Sequence, residues 1–298
     1  MRRFLRFSLT FVVPLAALCG AVGLWITRPV LVAASDLPDH QPDAVRGEVI
    51  FHATGCASCH SAPGAKDEAK LILAGGQEFK TDFGTFHAPN ISTDPNVGIG
   101  GWTPAQFVSA VKYGTSPNFQ HYYPAFPYGS YARMEVTDIL DLKAFMNTLP
   151  ADPTESKPHD LGFPFNIRLS LGGWKLLFFN SDPVVPQTDP VLARGQYLVE
   201  AMGHCGECHT PRNILGGMDM SRWLAGGPNP DGQGRIPNIT PGALEWIESD
   251  IAYYLETGFT PEFDSVGGSM VSVVENTAKL TPEDRAAIAA YLKAVPAH

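Results

Sequence analysis

Two pentapeptides constrain this chain more tightly than anything else in it: Cys56-Ala57-Ser58-Cys59-His60 and Cys205-Gly206-Glu207-Cys208-His209. The pattern C-x-x-C-H is the attachment signature of covalent haem. Its two thiols add to the two vinyl groups of one porphyrin, and the adjoining His reaches the iron. A zinc ribbon also uses C-x-x-C, but its pairs lack the fixed His and pool into one four-ligand site. A thioredoxin-like redox pair needs βαβ surroundings, which are missing here. Two such motifs in matching surroundings point to two covalently bound haem c groups. Cys56, Cys59, Cys205 and Cys208 then carry the porphyrins, and His60 and His209 are the proximal iron ligands.

The surroundings match because the chain repeats itself. Arg194-Gly195 before the second motif mirrors Arg46-Gly47 before the first, and Leu224-Ala225-Gly226-Gly227 mirrors Leu73-Ala74-Gly75-Gly76. Pro237-Asn238-Ile239-Thr240 mirrors Pro89-Asn90-Ile91-Ser92, Trp246 mirrors Trp102, and Leu280 to Pro296 aligns without gaps on Met134 to Pro150. The expected organisation is an N-terminal anchor or signal segment (1–34), a first haem domain (35–150), a linker (151–188) and a second haem domain (189–298). The 298 residues suffice for two domains of about 100–150 residues. The 29 Gly and 26 Pro suggest short helices joined by long ordered loops, a composition that suits domains whose apolar core is partly porphyrin.

Residues 1–28 open with three arginines and then run apolar from Phe7 to Ile26. Twenty such residues can cross a bilayer, and the basic flank sets the N-terminus on the cytoplasmic side. A cleaved signal peptide ending near Ala33-Ala34-Ser35 is the other reading. The run is long for that, which favours an uncleaved anchor. Either way the haem motifs lie outside the cytoplasm: the expectation is the inner membrane, a single N-terminal anchor and haem domains in the periplasm. Cys19 falls in the apolar run, and no disulfide is expected. The formal charge is −9, and the region after residue 34 is more acidic still, which excludes nucleic acid as a partner.

A helical pattern from Asp43 leads into the first motif, with Gly47 and Phe51 on one face. Residues 61–104 read as loop. Pro104 is an N1 residue for a helix over about 104–113 closed by Gly114. A last helix of the first copy is expected from about Thr137 to Thr148. In the connector, Trp174-Lys175-Leu176-Leu177-Phe178-Phe179 reads as a strap across both domains, ahead of a docking patch for a partner or the membrane face.

A haem held by His takes Met or His on its other face when its task is electron transfer. Met270, after Gly267-Gly268-Ser269, is the candidate for the second site. The first copy has Phe126 at the aligned position, in Tyr123-Pro124-Ala125-Phe126-Pro127-Tyr128, and Phe cannot ligate. The alternatives there are Met134, then His121, then an open site; His87 is a further imidazole within the copy.

With these residues on the page, the chain resembles the c-type cytochrome subunits of membrane-bound periplasmic dehydrogenases, such as those serving quinoprotein alcohol dehydrogenase and flavoprotein gluconate dehydrogenase. The resemblance spans roughly 40–298. It includes Ala88-Pro89-Asn90-Ile91, Gly98-Ile99-Gly100-Gly101-Trp102, Asn166-Ile167-Arg168, Gly203-His204-Cys205, Cys208-His209-Thr210-Pro211-Arg212-Asn213 and Gly267-Gly268-Ser269-Met270. It implies an all-α chain: two tandem class I cytochrome c domains behind an N-terminal transmembrane helix. It also implies that the Gly47 and Gly195 helices cross the C-terminal helices near Phe145 and Tyr291.

The function expected is that of a dihaem electron carrier. It would pass single electrons from a periplasmic dehydrogenase subunit toward a quinone or terminal oxidase of the respiratory chain. The alternative is a dihaem oxidoreductase, of the thiosulfate dehydrogenase or peroxidase kind, with its chemistry at the first haem. No other catalytic constellation stands out, so a carrier is favoured over a catalyst.

Overall fold

The computed structural model describes residues 2–229 and 234–298, with side chains from Val12 onward. Helix α1 (Arg2–Ile26) leads to a first domain of α2 (Ala44–Thr54), α3 (Cys56–His60), a hairpin of β1 (Glu78–Thr81) and β2 (Gly84–His87), α4 (Pro104–Tyr113), α5 (Tyr128–Tyr131) and α6 (Val136–Met146). The connector carries β3 (Asp160–Leu161) and α7 (Ser170–Phe178). The second domain holds α8 (Pro190–Gln196), α9 (Gly206–His209), β4 (Gly227–Pro228), β5 (Arg235–Ile236), α10 (Glu248–Thr257), α11 (Met270–Thr277) and α12 (Pro282–Ala294).

The helices start where side chains can satisfy the first free N–H groups. Asp43 accepts from Val45 N and Arg46 N to cap α2. Thr103 and Gln106 form a capping box at α4, with Pro104 in the first turn and Gly114 closing the helix in the left-handed conformation. Thr281 caps α12 in front of Pro282. Each cap stabilises its helix by about 1 kcal/mol.

In each domain the helix before the motif crosses the C-terminal helix at a glycine. A Cβ on Gly47 would stand 2.0 Å from Asp141 O and 2.9 Å from Phe145 Cβ; one on Gly195 would stand 2.0 Å from Ala287 O and 2.7 Å from Tyr291 Cβ. The backbones touch, and only glycine fits. The implied crossings near Phe145 and Tyr291 are therefore present in both copies. Ion pairs fasten the same corner twice: Arg46 with Asp138, and Arg194 with Asp284 at 2.7 Å. Around these crossings a buried core gathers Phe51, Met134, Ile139, Leu198, Leu224 and Tyr291. Each such side chain removed from water contributes about 1.5–3 kcal/mol.

The second copy is one residue longer between its glycine and its first cysteine. The chain absorbs the extra residue in a π-helical turn, Tyr197–Met202, as single insertions into helices commonly do. It closes with Gly203 N donating to Leu198 O at 2.7 Å.

Two expectations fail. The chain is not all-α, since β1, β2 and β3 form one antiparallel sheet and β4 pairs with β5 in another. The first strands lie inside 61–104, which read as loop. There Thr81 Oγ1 donates to Gly84 O and accepts from Phe83 N, tying the hairpin turn. The connector then supplies β3 as a third strand against β2. The membrane-spanning helix at 7–26 is likewise not upheld: among the described residues no helix is long and apolar enough to cross a membrane. A span needs about 20 apolar residues, and the part of that expectation resting on side chains 7–11 lies outside the described residues. From Val12 to Ile26 the side chains of α1 are almost all exposed.

Candidate functional site

Each motif coils into a one-turn helix, α3 or α9, which brings its two thiols to the same side. Among the described residues all five cysteines are free. No three His, Cys, Asp or Glu side chains there are grouped to hold a bare metal ion. Burial pushes the Cys56 thiol up to about 11 and the Cys205 thiol to about 12. Such thiols are poor thiolate nucleophiles. That is wrong for redox exchange and harmless for a thioether, which carries no ionisable proton.

The two histidines are oriented identically. His60 Nδ1 lies 2.9 Å from Pro89 O, and His209 Nδ1 lies 2.8 Å from Pro237 O. A carbonyl only accepts, so Nδ1 carries the proton and Nε2 is left bare for a metal. Burial lowers both imidazole pKa values, against the raising effect of the carbonyl bond, and this keeps them neutral and able to ligate. The prolines are held in turn: Gly75 N donates to His60 O and Gly226 N to His209 O, both at 2.7 Å, and Ile91 N and Ile239 N bond to Leu73 O and Leu224 O. The repeated Pro-Asn-Ile motif thus places a carbonyl behind each histidine, a role the sequence reading left unassigned. Paired thiols, a bare Nε2 and an apolar surround fit a covalent haem at each site. When bound, that group supplies one-electron iron chemistry.

The motif interiors differ in a compensated way. Gly206 faces Trp223, whose ring would stand 2.1 Å from any added Cβ. The first copy has Ala57 and Ile72 at the corresponding positions, a larger residue in the motif against a smaller one outside it.

The sixth-ligand candidates separate. Tyr122 N donates to Gly114 O at 2.8 Å and Val266 N to Gly258 O at 2.7 Å. The bridges Thr115–His121 and Phe259–Ser265 also correspond. This register puts Phe126 in the place of Met270 and His121 in the place of Ser265. Met270 is half-buried and begins α11, rather than sitting in the loop expected for it. Met134 is fully buried in the core just before α6. Its carbonyl accepts from Lys112 Nζ at 2.6 Å. His121 donates from Nε2 to Thr27 O at 2.8 Å, which ties its ring to the N-terminal segment. His87 lies at the end of β2, 3.8 Å from Glu78.

The two motifs are neighbours. Ser130 of α5 donates to Glu207 of the second motif at 3.0 Å, and Asn276 of α11 donates to Ser58 of the first at 2.8 Å. Cys59 and Cys208 lie within electrostatic range of each other. Tyr197 reaches across to Asp138 at 2.6 Å. The connector straps both domains: Lys175 donates to Tyr113 O and Gly114 O, and Trp174 to Leu215 O. Leu176 and Leu177 of α7 are exposed, as are Ile214 and Leu215 of the second domain beside Trp174.

The family model Cytochrome c matches residues 44–150 and 192–296. The chain is 58% identical to the "Diheme cytochrome c-type" protein of Cereibacter sphaeroides, over 98% of this chain and 99% of that one. It is 35% identical to the fructose dehydrogenase cytochrome subunit of Gluconobacter japonicus, over 100% of this chain and 61% of that subunit. With the cytochrome c subunit of the quinone-type alcohol dehydrogenase of Gluconobacter oxydans the identity is 34%, over 90% of this chain and 59% of the relative. Against these two dehydrogenase subunits the chain spans about three-fifths of the relatives' length.

Proposed function

The chain belongs to the cytochrome c family, with two domains of that family in tandem and two covalently bound haem c groups, and on that premise we propose that it relays single electrons from a dehydrogenase partner into the respiratory chain. The observation that carries the reading is the adjacency of the two motifs, locked by Ser130–Glu207 and Asn276–Ser58. Two one-electron centres held side by side form a relay. The dehydrogenase oxidises a small alcohol, sugar or aldonate, as the names of the alcohol, fructose and gluconate dehydrogenases with related cytochrome subunits indicate for those enzymes, and the electrons leave toward a quinone or a terminal oxidase. The dehydrogenase docks over the exposed apolar side of α7. The haem domains work in the periplasm. Met270 supplies the sixth ligand of the second haem and Met134 that of the first: Met134 shares the buried core of Phe51, Ala57 and Tyr131 at the first motif, whereas the His121 ring is tied to the N-terminal segment at Thr27 O.

The test is reduction of the purified holoprotein by membranes supplied with ethanol, fructose or gluconate in turn, followed in the visible bands. One substrate should reduce both haems. If none does, and the isolated protein instead turns over thiosulfate or peroxide, it is an enzyme and the relay reading fails.

A further inference from the structure

Between the two motifs stands one buried aromatic residue that the haem signature does not include. Tyr131, the last residue of α5, is 7% exposed. Its hydroxyl donates to Thr54 O at 3.0 Å. Thr54 Oγ1 in turn stands 3.3 Å from Cys56 Sγ, the first thiol of the first motif. On its other side the Tyr131 ring meets the His204 ring edge-on, with centroids 5.4 Å apart. His204 is bonded directly to Cys205, the first thiol of the second motif. A continuous route therefore runs from Cys56 along the backbone to Thr54 O, then through one hydrogen bond, the phenol ring and one ring contact to His204 and Cys205.

Among the described residues the route exists once, although the chain is a repeat. The second copy has Thr277 where the first has Tyr131, in the register that pairs Ser130 with Asn276 and Met134 with Leu280. Thr277 turns its hydroxyl back to Leu255 O within its own domain. The bridging aromatic is thus a feature of the first copy that the fold itself does not require.

Resting on the relay reading, we infer that Tyr131 is the positioning residue that couples the two haem sites electronically. Coupling between fixed centres falls off more slowly through bonds and hydrogen bonds than across empty space, and Tyr131 supplies both. One electron leaves ferrous iron at one site and reduces ferric iron at the other, with no proton transferred. The phenol is neither oxidised nor deprotonated. Burial, reinforced by the nearby Glu207, holds its pKa well above the ordinary tyrosine value.

The experiment uses the holoprotein. Tyr131→Phe keeps the ring against His204 and removes the bond to Thr54; Tyr131→Leu removes both; Thr54→Val removes the contact to Cys56 Sγ. One haem is photoreduced, and the equilibration of the electron between the two is timed. Redox titration gives both potentials, and Soret circular dichroism reports the relative placement of the haems. Equilibration should slow several-fold in Tyr131→Phe and further in Tyr131→Leu, with potentials and dichroism unchanged. Thr54→Val should match wild type, because valine keeps the backbone carbonyl that Tyr131 bonds and the backbone that joins it to Cys56. Unchanged rates in both Tyr131 variants would overturn the inference, as would slowing that tracks a changed dichroism or a Thr54→Val slowing equal to that of Tyr131→Phe. Failure of both haems to accept electrons from any dehydrogenase would instead sink the relay reading while leaving the photoreduction result standing.

Discussion

Ser58 of the first motif is held by Asn276 of the second domain, which donates from Nδ2 to its Oγ at 2.8 Å. The mirror bond is present: Ser130, which corresponds to Asn276, donates to Glu207, which corresponds to Ser58. Each domain thus clasps the other's motif with the same element. Because the clasp runs through polar side chains at the motif itself, it sets the placement of the two haem sites rather than merely gluing two domains.

Asn276→Ala and Ser130→Ala should each destabilise the chain by about 1 kcal/mol, the ordinary worth of a hydrogen bond. The Ser130 change should be the costlier, since Glu207 is charged. Denaturant titration followed at the haem band checks this. A second transition in the double variant would show that the clasp is what makes the two domains unfold together.

Gly206→Ala should cost about 1–3 kcal/mol by overpacking against Trp223, and it should lower haem incorporation at the second site. Adding Trp223→Ile recreates the Ala57–Ile72 pairing of the first copy and should recover most of the loss. Thermal melts of the two single variants and the double variant measure the coupling. Additive losses would show that the ring and the motif do not compete for space.

Met270→Ala should leave the second iron open, high-spin and reactive with carbon monoxide. Met134→Leu, which conserves core volume, should do the same at the first site. His121→Ala should alter neither spectrum, because the bond to Thr27 O holds its ring against the N-terminal segment. A spectral change in His121→Ala together with a silent Met134→Leu would reverse the assignment.

Burial lowers the Lys175 pKa to about 7. The folded chain then releases this proton near neutrality, whereas the unfolded chain holds it to roughly 10.4. Between those limits the unfolded state binds more protons, so stability rises with pH. Above the ordinary tyrosine pKa the trend reverses. Burial raises the Tyr128, Tyr131 and Tyr197 values, so the unfolded state loses protons first. The thioether-linked cysteines do not titrate. Stability measured from pH 7 to 9 should climb in wild type and climb less in Lys175→Met. Equal slopes would mean the ammonium stays charged on its two carbonyls and the Tyr128 face.

Leu177→Asp, on the exposed side of α7, should leave haem content and both potentials unchanged. It should slow reduction by the dehydrogenase, as read by stopped-flow with excess protein. A rate equal to wild type would place the docking surface elsewhere.

Much of the local structure is readable without coordinates, because its causes are local. Asp43, Thr103 with Pro104, and Gly114 mark helix ends through groups within a few residues. Gly47 and Gly195 announce a close crossing because the same glycine recurs at the same place before each motif. The repeat likewise aligns Phe126 with Met270, and the backbone hydrogen bonds at Gly114 and Gly258 confirm that register. The strands escape a sequence reading because β1 and β2 are short and turn on Thr81 and Gly84, in a stretch whose Gly, Pro and Asn content reads as loop. Strand β3 comes from a connector with no strand-like run of its own.

By itself the sequence determined the chemistry and the count: two C-x-x-C-H motifs in two copies of one unit, since covalent attachment depends only on residue type and spacing along a few bonds. Only the tertiary structure decided how the copies meet. The carbonyls of Pro89 and Pro237 behind the histidines, the exchange of Ser130 and Asn276 between domains, and Tyr131 lying from Thr54 to His204 all join residues far apart in the chain. The physical reason is that such contacts are selected by the packing of whole domains. No spacing rule encodes them, and a hydrogen bond at 2.8 Å exists only once both backbones have been brought into place.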